Sequence, residues 1–414
     1  MEPVIDVAVI GGGFAGLTAA NRAAEGGCRA VVFEAGTDDL YMCNSRVATG
    51  ALHVSFHAPA EPPDDLYAAI MDGSGGTARA DLARAVADRS AETIDWMKAR
   101  GAEFRDHPRR MNGVPMLAPL REMGPGLDWE DSGPNLFLQA LETQLKANGG
   151  ELRRGCRVTR IFTDDGAVRG VEVATPAGTE TVSAKAVVVA DGGFQANPDM
   201  VAAYIQPAAE KLMQRNMGTG RGEGLRMAVD IGAATAGMER FYGHVLSREA
   251  MNNDRLWPYP QVDVICAKGV VVTQDGARFG NEGLGGIYVA NAIAGLADPL
   301  SATAVFDATV WEDAKETDNV PPNPSLPDNG GTVFSADTLE ALAERGIPTT
   351  VMVAPVVPAL NDAEIERILD AAEANGVREA GYILLRLPLE VAGLFRDWLR
   401  DNYPDRYDHV MNVL

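Results

Sequence analysis

Cysteine is scarce: Cys28, Cys43, Cys156 and Cys266 are the only four in 414 residues. They lie too far apart for metal-ligand spacing and are too few for a disulfide framework, so no metal is expected and a reducing cytoplasm fits best. Long apolar runs are missing too. None reaches the roughly 18 to 20 residues of a membrane-spanning helix, which excludes a membrane partner at this stage. The start is not that of a secretory signal, because MEPVIDVAVIGGG has an acid at position 2 and leads straight into a glycine motif. Positive charge is in deficit. Lys and Arg number 36 against 58 Asp and Glu, and the net charge of −22 would repel a phosphate backbone, so no nucleic acid is expected. What remains is an ordinary globular composition, 46% hydrophobic and 23% charged, long enough for two or three domains.

The first fifty residues carry the clearest pattern. IDVAVI reads as a strand and FAGLTAANRAAEGG as a helix stopped by a glycine pair, with a glycine turn between them. Gly11, Gly13 and Gly16 form G-x-G-x-x-G: one glycine for the turn, one for close approach of backbone to a pyrophosphate, one for helix packed on strand. Ala15 lies within the same turn, at a helix N-terminus suited to phosphate. RAVVFE then ends on Glu34 and Ala35, where a carboxylate accepts hydrogen bonds from an adenosine ribose. A glycine triplet alone is weak; strand, helix and terminal acid in this order point to dinucleotide binding.

GGGFAGLTAANRAAEGG…VVFE followed at once by CNSRVATGA resembles the FAD site of the fumarate reductase and succinate dehydrogenase flavoprotein family. The resemblance implies that Asn44, Ser45, Ala48, Thr49 and Gly50 run along the pyrophosphate or isoalloxazine. Covalent members of that family place a flavin-linking histidine near the position of Asn44, which implies non-covalent FAD here. DLARAVADRSAETIDWMKARGAEF has Leu82, Val86, Ile94 and Met97 at helical spacing. The stretch from Gly133 to Val173 reads as helix, strand, strand, with an Asp-Asp-Gly turn; family members build the sheet beneath the adenine there, so the resemblance implies a cofactor contact for Val158. AKAVVVADGGF looks like the family's buried strand ending in a glycine pair, which assigns Ala190, Asp191 and Gly192 to the cofactor. GTGRGEGLRMAVDIGA is similar to its Thr-Gly-Asp-Gly helix start, with Glu223 in the acidic place as either a helix cap or a flavin contact.

Residues 239–345 resemble the family's capping domain, which closes over a carboxylate. FYGHVLS puts His244 where members carry a substrate histidine, and Arg248 and Arg255, with Tyr259 beyond, are the cations available to clamp carboxylates. GVVVTQDGARFGNEG matches the family's hairpin, in which Arg278 and Glu282 read as an ion pair holding the hairpin in place. The place of the fumarate reductases' proton-donating arginine reads GLGG, Gly283 to Gly286, closer to soluble tricarballylate-dehydrogenase-like members.

The family's closing segment has no counterpart after about residue 345. From GIPTTVMVAPVVPALND onward the order is strand, helix, buried-type strand, helix, which resembles the end of a radical S-adenosylmethionine barrel without that chemistry's three cysteines. The expected architecture is therefore α/β: a Rossmann-like FAD-binding domain over 1–238, an inserted α+β capping domain over 239–345, and a βαβα segment over 346–414. Two functions fit. One is an FAD-dependent oxidoreductase moving a hydride between flavin N5 and a small carboxylate, with a second copy or an electron-transfer protein admitted as partner. The other is an FAD-binding but catalytically defective chimera joined near Arg345 to Pro348.

Overall fold

The computed structural model describes residues 4–106, 114–121, 126, 128–316, 325–335, 339–344, 349–385 and 389–413. The junction expected at 345–348 lies outside them. Contacts divide the chain into two compact units. The first holds Met1–Lys268, Glu282–Leu300 and Phe306–Thr332; the second holds Gly269–Asn281, Ser301–Val305 and Val333–Leu414. Most of the stretch expected as a cap thus folds with the glycine motif. No described helix is long and apolar enough to cross a membrane.

In the first unit, Ile5–Ile10 (β1) is followed by Phe14–Glu25 (α1) and Ala30–Phe33 (β2). Gly11 ends β1 with φ of 98°, a conformation that favours glycine, and a Cβ there would stand 2.7 Å from the Ala190 carbonyl. Pro63–Gly73 (α2) packs on Ala80–Lys98 (α3), and Phe104–Asp106 (β3) pairs antiparallel with Pro115–Leu117 (β4). Then come Gly133–Ala147 (α4), Glu151–Arg153 (β5), Arg157–Asp164 (β6), Ala167–Thr175 (β7) and Gly178–Val189 (β8). Five short helices complete the unit: Pro198–Tyr204 (α5), Glu223–Asp230 (α6), Asp263–Lys268 (α7), Gly286–Ala294 (α8) and Ala308–Glu316 (α9); a single turn, Ser325–Asp328 (α10), lies beyond them.

The main sheet has the order β5-β2-β1-β8-β7-β6. β5, β2, β1 and β8 are parallel, and β6 and β7 add an antiparallel meander. The β6–β7 turn uses Asp165 at φ 48° and Gly166 at φ 72°, the double positive φ of a tight hairpin turn, as Asp-Asp-Gly suggested. One face is covered by α1 and α4, where Leu17, Leu138, Leu141 and Leu145 are fully buried, each contributing roughly 1.5 to 3 kcal/mol of apolar burial. The other face buries Val31, Phe33, Val158, Ile161, Val171 and Met227.

Two burial expectations fail. On α3 the core side is taken by Ala83 and Ala87 with Ile94 and Met97, while Leu82 and Val86 are exposed; small residues let α2 approach where Leu and Val would hold it off. The last turns of β8 are also more open than a buried strand, with Val189 41% exposed.

A buried charge network joins the loop after β2 to α4. Arg46 is wholly buried. Its Nε donates to Tyr41 O at 2.7 Å, Nη1 to Asn135 Oδ1 at 2.5 Å and Nη2 to Glu142 Oε1 at 2.7 Å. Glu142 Oε2 accepts from Arg154 Nη2 at 2.6 Å, and the Arg46 guanidinium lies 4.5 Å from the Tyr41 ring centroid.

In the second unit, Val270–Val272 (β9) pairs antiparallel with Thr303–Val305 (β10). Leu339–Glu344 (α11) precedes Thr350–Val356 (β11), Ile365–Ala374 (α12), Glu379–Leu384 (β12), Leu389–Asn402 (α13) and Tyr407–Val413 (α14). β11 and β12 are parallel, in the register Val351↔Ala380 and Val353↔Tyr382. The order matches the expectation, but the burial does not. Tyr382, Ile383 and Leu384 are 66%, 54% and 50% exposed, because a two-stranded sheet offers little to pack against and the local core of Val357, Leu399 and Val410 sits beyond the strand's end.

Breaking a buried ion pair from one side strands its partner, so Arg46→Ala is expected to cost about 3 kcal/mol or more. Arg160→Ala, which removes an exposed pair with Glu172, should cost well under about 1 kcal/mol. Urea denaturation of the two variants side by side measures the contrast.

Candidate functional site

The glycine turn builds a cradle that a side chain would fill. A Cβ on Gly16 would lie 2.0 Å from Gly11 O and one on Gly12 2.7 Å from the Tyr41 hydroxyl. α1 starts at Gly13 with no acid in its first turn, and Ser45 Oγ accepts from Phe14 N at 3.0 Å. Ala15 is exposed beside it. The positive end of the helix therefore faces out unneutralised, as an anion site requires.

Glu34 is 9% exposed and folds back on the turn: Oε2 accepts from Gly12 N at 2.8 Å and Oε1 from Gly36 N at 2.7 Å. Each carboxylate oxygen still has a lone pair for a ribose hydroxyl. Tyr41, 1% exposed, donates its hydroxyl to Gly12 O at 2.7 Å, so Arg46 supports the turn through Tyr41. Ala35 is exposed at the rim.

The loop expected along the flavin is held from several sides. Asn44 Oδ1 accepts from Met217 N at 3.0 Å. Ala48 and Thr49 are half-buried, and Gly50 takes φ of 86° with Leu117 and Pro134 against it. Across the turn, Ala190 is half-buried, Gly192 has φ of 90° with open space where a Cβ would go, and Asp191 Oδ2 accepts from Gly224 N at 2.8 Å. Asp191 Oδ1 has no hydrogen-bond partner among the described residues, and burial raises the carboxyl above its ordinary range. Val158 and Glu223 line one groove of about 440 Å³ floored by Met200 and Met227, where Glu223 pairs with Arg157 at 2.5 Å. A cradle without room for side chains, an open helix terminus, a ribose-ready carboxylate and an orphaned acceptor fit a dinucleotide such as FAD.

The substrate candidates separate. His244 Nδ1 lies 2.5 Å from Asp263 Oδ2, and Asp263 Oδ1 accepts from Val245 N at 2.7 Å. α8 starts against this carboxylate: a Cβ on Gly286 would stand 2.3 Å from Asp263 Cγ. Asn291 of α8 bonds the Phe241 backbone in both directions, at 3.1 and 2.8 Å, and so fixes the segment leading to His244. Arg248 and Arg255, read as the cations available to clamp carboxylates, have neighbours of their own. Arg248 is exposed, 3.6 Å from its neighbour Glu249, and Arg255 donates to Asp328 O and Asn329 Oδ1 at 3.2 and 3.0 Å. Glu282 is 5% exposed. Cys266 is no nucleophile: burial, with Asp263 and Glu282 adding, pushes its thiol up to about 12.

Sequence reading missed Asp263, Asn291, Arg121 and Arg215. Arg121 is 8% exposed and donates Nη1 to Val47 O at 2.5 Å, in the loop expected along the flavin. Arg215 donates Nε to Pro258 O at 2.8 Å and stacks 4.7 Å from the Tyr259 ring centroid. No spacing announces any of them, since each partner comes from a distant segment.

The chain belongs to the FAD binding domain family, whose model matches residues 6–412, and FAD is its cofactor. A probable fumarate reductase, Ifc3, of Shewanella frigidimarina is 26% identical over 363 residues, 86% of this chain and 58% of that protein. A vinyl phenol reductase of Lactiplantibacillus plantarum is 29% identical over 259 residues, 58% of this chain and 49% of that protein. The chain thus spans about half the length of these curated relatives. Among solved structures, 3-ketosteroid-delta4-(5alpha)-dehydrogenase from Rhodococcus jostii RHA1 has a TM-score of 0.63 at 20% identity, covering 90% of this chain and 78% of that one. The open conformation of a flavocytochrome c3 fumarate reductase has a TM-score of 0.54 at 23% identity, over 83% and 59%. At these identities the likeness is one of fold.

Two outcomes follow. Gly16→Ala should abolish FAD retention, read as flavin released per mole of purified chain, whereas Gly13→Ala, whose Cβ meets only Ser45 Oγ at 3.0 Å, should weaken it by less. Asp191 is the second. Its folded-state carboxyl is raised, so its favourable contribution is complete below the unfolded value near 3.9 and is lost as pH rises through the folded one. Asp191→Asn should therefore raise the melting temperature of the FAD-free chain at pH 7, with the gain vanishing below about pH 4; thermal melts across that range check it.

Proposed function

We propose that this chain is an FAD-dependent oxidoreductase transferring a hydride between a small carboxylate and the flavin, with FAD held non-covalently. The observation that carries the reading is the His244–Asp263 couple, 2.5 Å apart in the same compact unit as the dinucleotide cradle. When bound, FAD supplies the site that accepts or returns the hydride.

The chain's own residues handle the proton. Asp263 occupies His244 Nδ1 and fixes the ring, which leaves Nε2 to give or take a proton on the carbon next to the one exchanging hydride. Gly283 to Gly286 carries no protic side chain, so His244 is the group left for that work. Non-covalent attachment rests on Asn44, an amide without nucleophilic character that is already bonded to Met217 N. Of the names that relatives and structural neighbours carry, fumarate is a carboxylate, whereas vinyl phenol and ketosteroid are not; a small carboxylate is proposed from the fumarate reductase likeness, as a class and not a single acid. Electrons would come from a partner protein or a second copy, and the cysteine content favours a cytoplasmic setting. A chain that binds FAD without turnover is the second reading, favoured by the same glycine-rich stretch after Glu282.

Anaerobic photoreduction followed by mixing with fumarate, aconitate or a ketosteroid tests both. Reoxidation of the visible flavin band by an unsaturated acid is expected, and His244→Gln should slow it by about 100-fold or more, within the usual range for a general acid or base. Failure of every acceptor to reoxidise the flavin would leave the second reading.

A further inference from the structure

We infer that Arg121 presents a ready-made docking edge for one carboxylate of the ligand, beside the flavin-side loop and backed by Arg215. Arg121 is 8% exposed, yet only Nη1 is used, on Val47 O. Its Nε and Nη2 are buried and have no hydrogen-bond partner among the described residues. These two atoms form one side of the guanidinium, the parallel pair of N–H donors that matches the two oxygens of a carboxylate. Leaving two charged donors buried and unpaired is costly, and a bound anion relieves that cost.

The charges around it are mixed. Burial acts to lower the Arg121 pKa, Tyr259 and Asp128 act to raise it and Arg215 to lower it, so a second guanidinium and one acid both lie within electrostatic reach. Arg215 itself is anchored: Nε is on Pro258 O, its plane lies over Tyr259, and with its oxygen turned to the guanidinium Gln261 accepts at 2.6 and 3.2 Å. Met217, two residues on, donates to Asn44. Arg121, and Met217 two residues from Arg215, thus hold the two ends of one loop, residues 44–47, through Val47 O and Asn44 Oδ1. A carboxylate on the Arg121 edge would lie next to the loop that the flavin reading places along the isoalloxazine.

This inference rests on the proposed function for its ligand class, and its test reads binding without turnover. FAD-loaded chain is titrated calorimetrically with succinate, with propionate and with sulfate at constant ionic strength. The native chain should bind succinate and propionate. Arg121→Gln should weaken both by roughly tenfold or more, and Arg121→Lys, a point charge without the fork, by an intermediate factor. Arg160→Gln, at an exposed site away from the candidate residues, should leave binding unchanged. Flavin content and circular dichroism report whether each variant is folded; should Arg121→Gln not fold, the lysine variant decides. Succinate binding within about twofold of native in a folded Arg121 variant would overturn the inference, as would absence of carboxylate binding by the native chain. Sulfate binding that Arg121→Gln removes while succinate binding persists would also overturn it, as an adventitious anion site. Absence of flavin reoxidation would count against the proposed reaction alone and leave these titrations as they stand.

Discussion

Burial of the Arg46 guanidinium constrains much of the first unit. A cation with no solvent must have its donors met by fixed acceptors, and these come from Tyr41 O in the loop, Asn135 near the start of α4 and Glu142 further along it. The loop after β2 and the helix on the sheet must therefore settle together. From Arg46 the constraint runs both ways: through Glu142 to Arg154 after β5, and through Tyr41 to the carbonyl of Gly12 in the cofactor cradle. A well-packed apolar trio of the same volume could be as stable. What the charged network adds here is a defined loop path, because only one arrangement satisfies all three donor groups, and the residues expected along the flavin hang on that path.

Legibility in the sequence follows the range of the interactions. Glycines at 11, 13 and 16, a β-branched run before them and an acid at the next strand's end are local signals, and the structure places β1, α1, β2 and Glu34 as those signals require. The Asp165-Gly166 turn was readable for the same reason. Burial was harder to read. Leu82 and Val86 of α3 look like core by periodicity, yet the helix turns its alanines inward because the α2–α3 contact is close. The proposed pair is legible only in half: His244 stands out as a candidate, but Asp263 lies 19 residues on and reaches it only because α7 and α8 fold back on that segment.

The second unit shows the same division from another side. Strand and helix order from Thr350 to Asn402 follows from alternation and helical spacing, and β11 pairs with β12 in parallel as a β-α-β order requires. The hydrophobic content of β12 suggested burial, but composition reports what a strand could bury, and the exposure of Tyr382 and Ile383 depends on what is packed against it.

Charge needs the same separation of ranges. A net charge of −22 repels a polyanion, whose many phosphates sample the average field of the surface, and the expectation of no nucleic-acid partner rests on that average. A small carboxylate is different. At physiological ionic strength the screening length is about 8 Å, so most of the acidic surface is damped before such a molecule reaches a buried site. There it meets individual N–H donors in a medium of low dielectric, where contact geometry outweighs the distant sum. For the proposed carboxylate the two unpaired donors of Arg121 would therefore count for more than the surplus of acids elsewhere, and an acidic net charge is no argument against an acidic ligand.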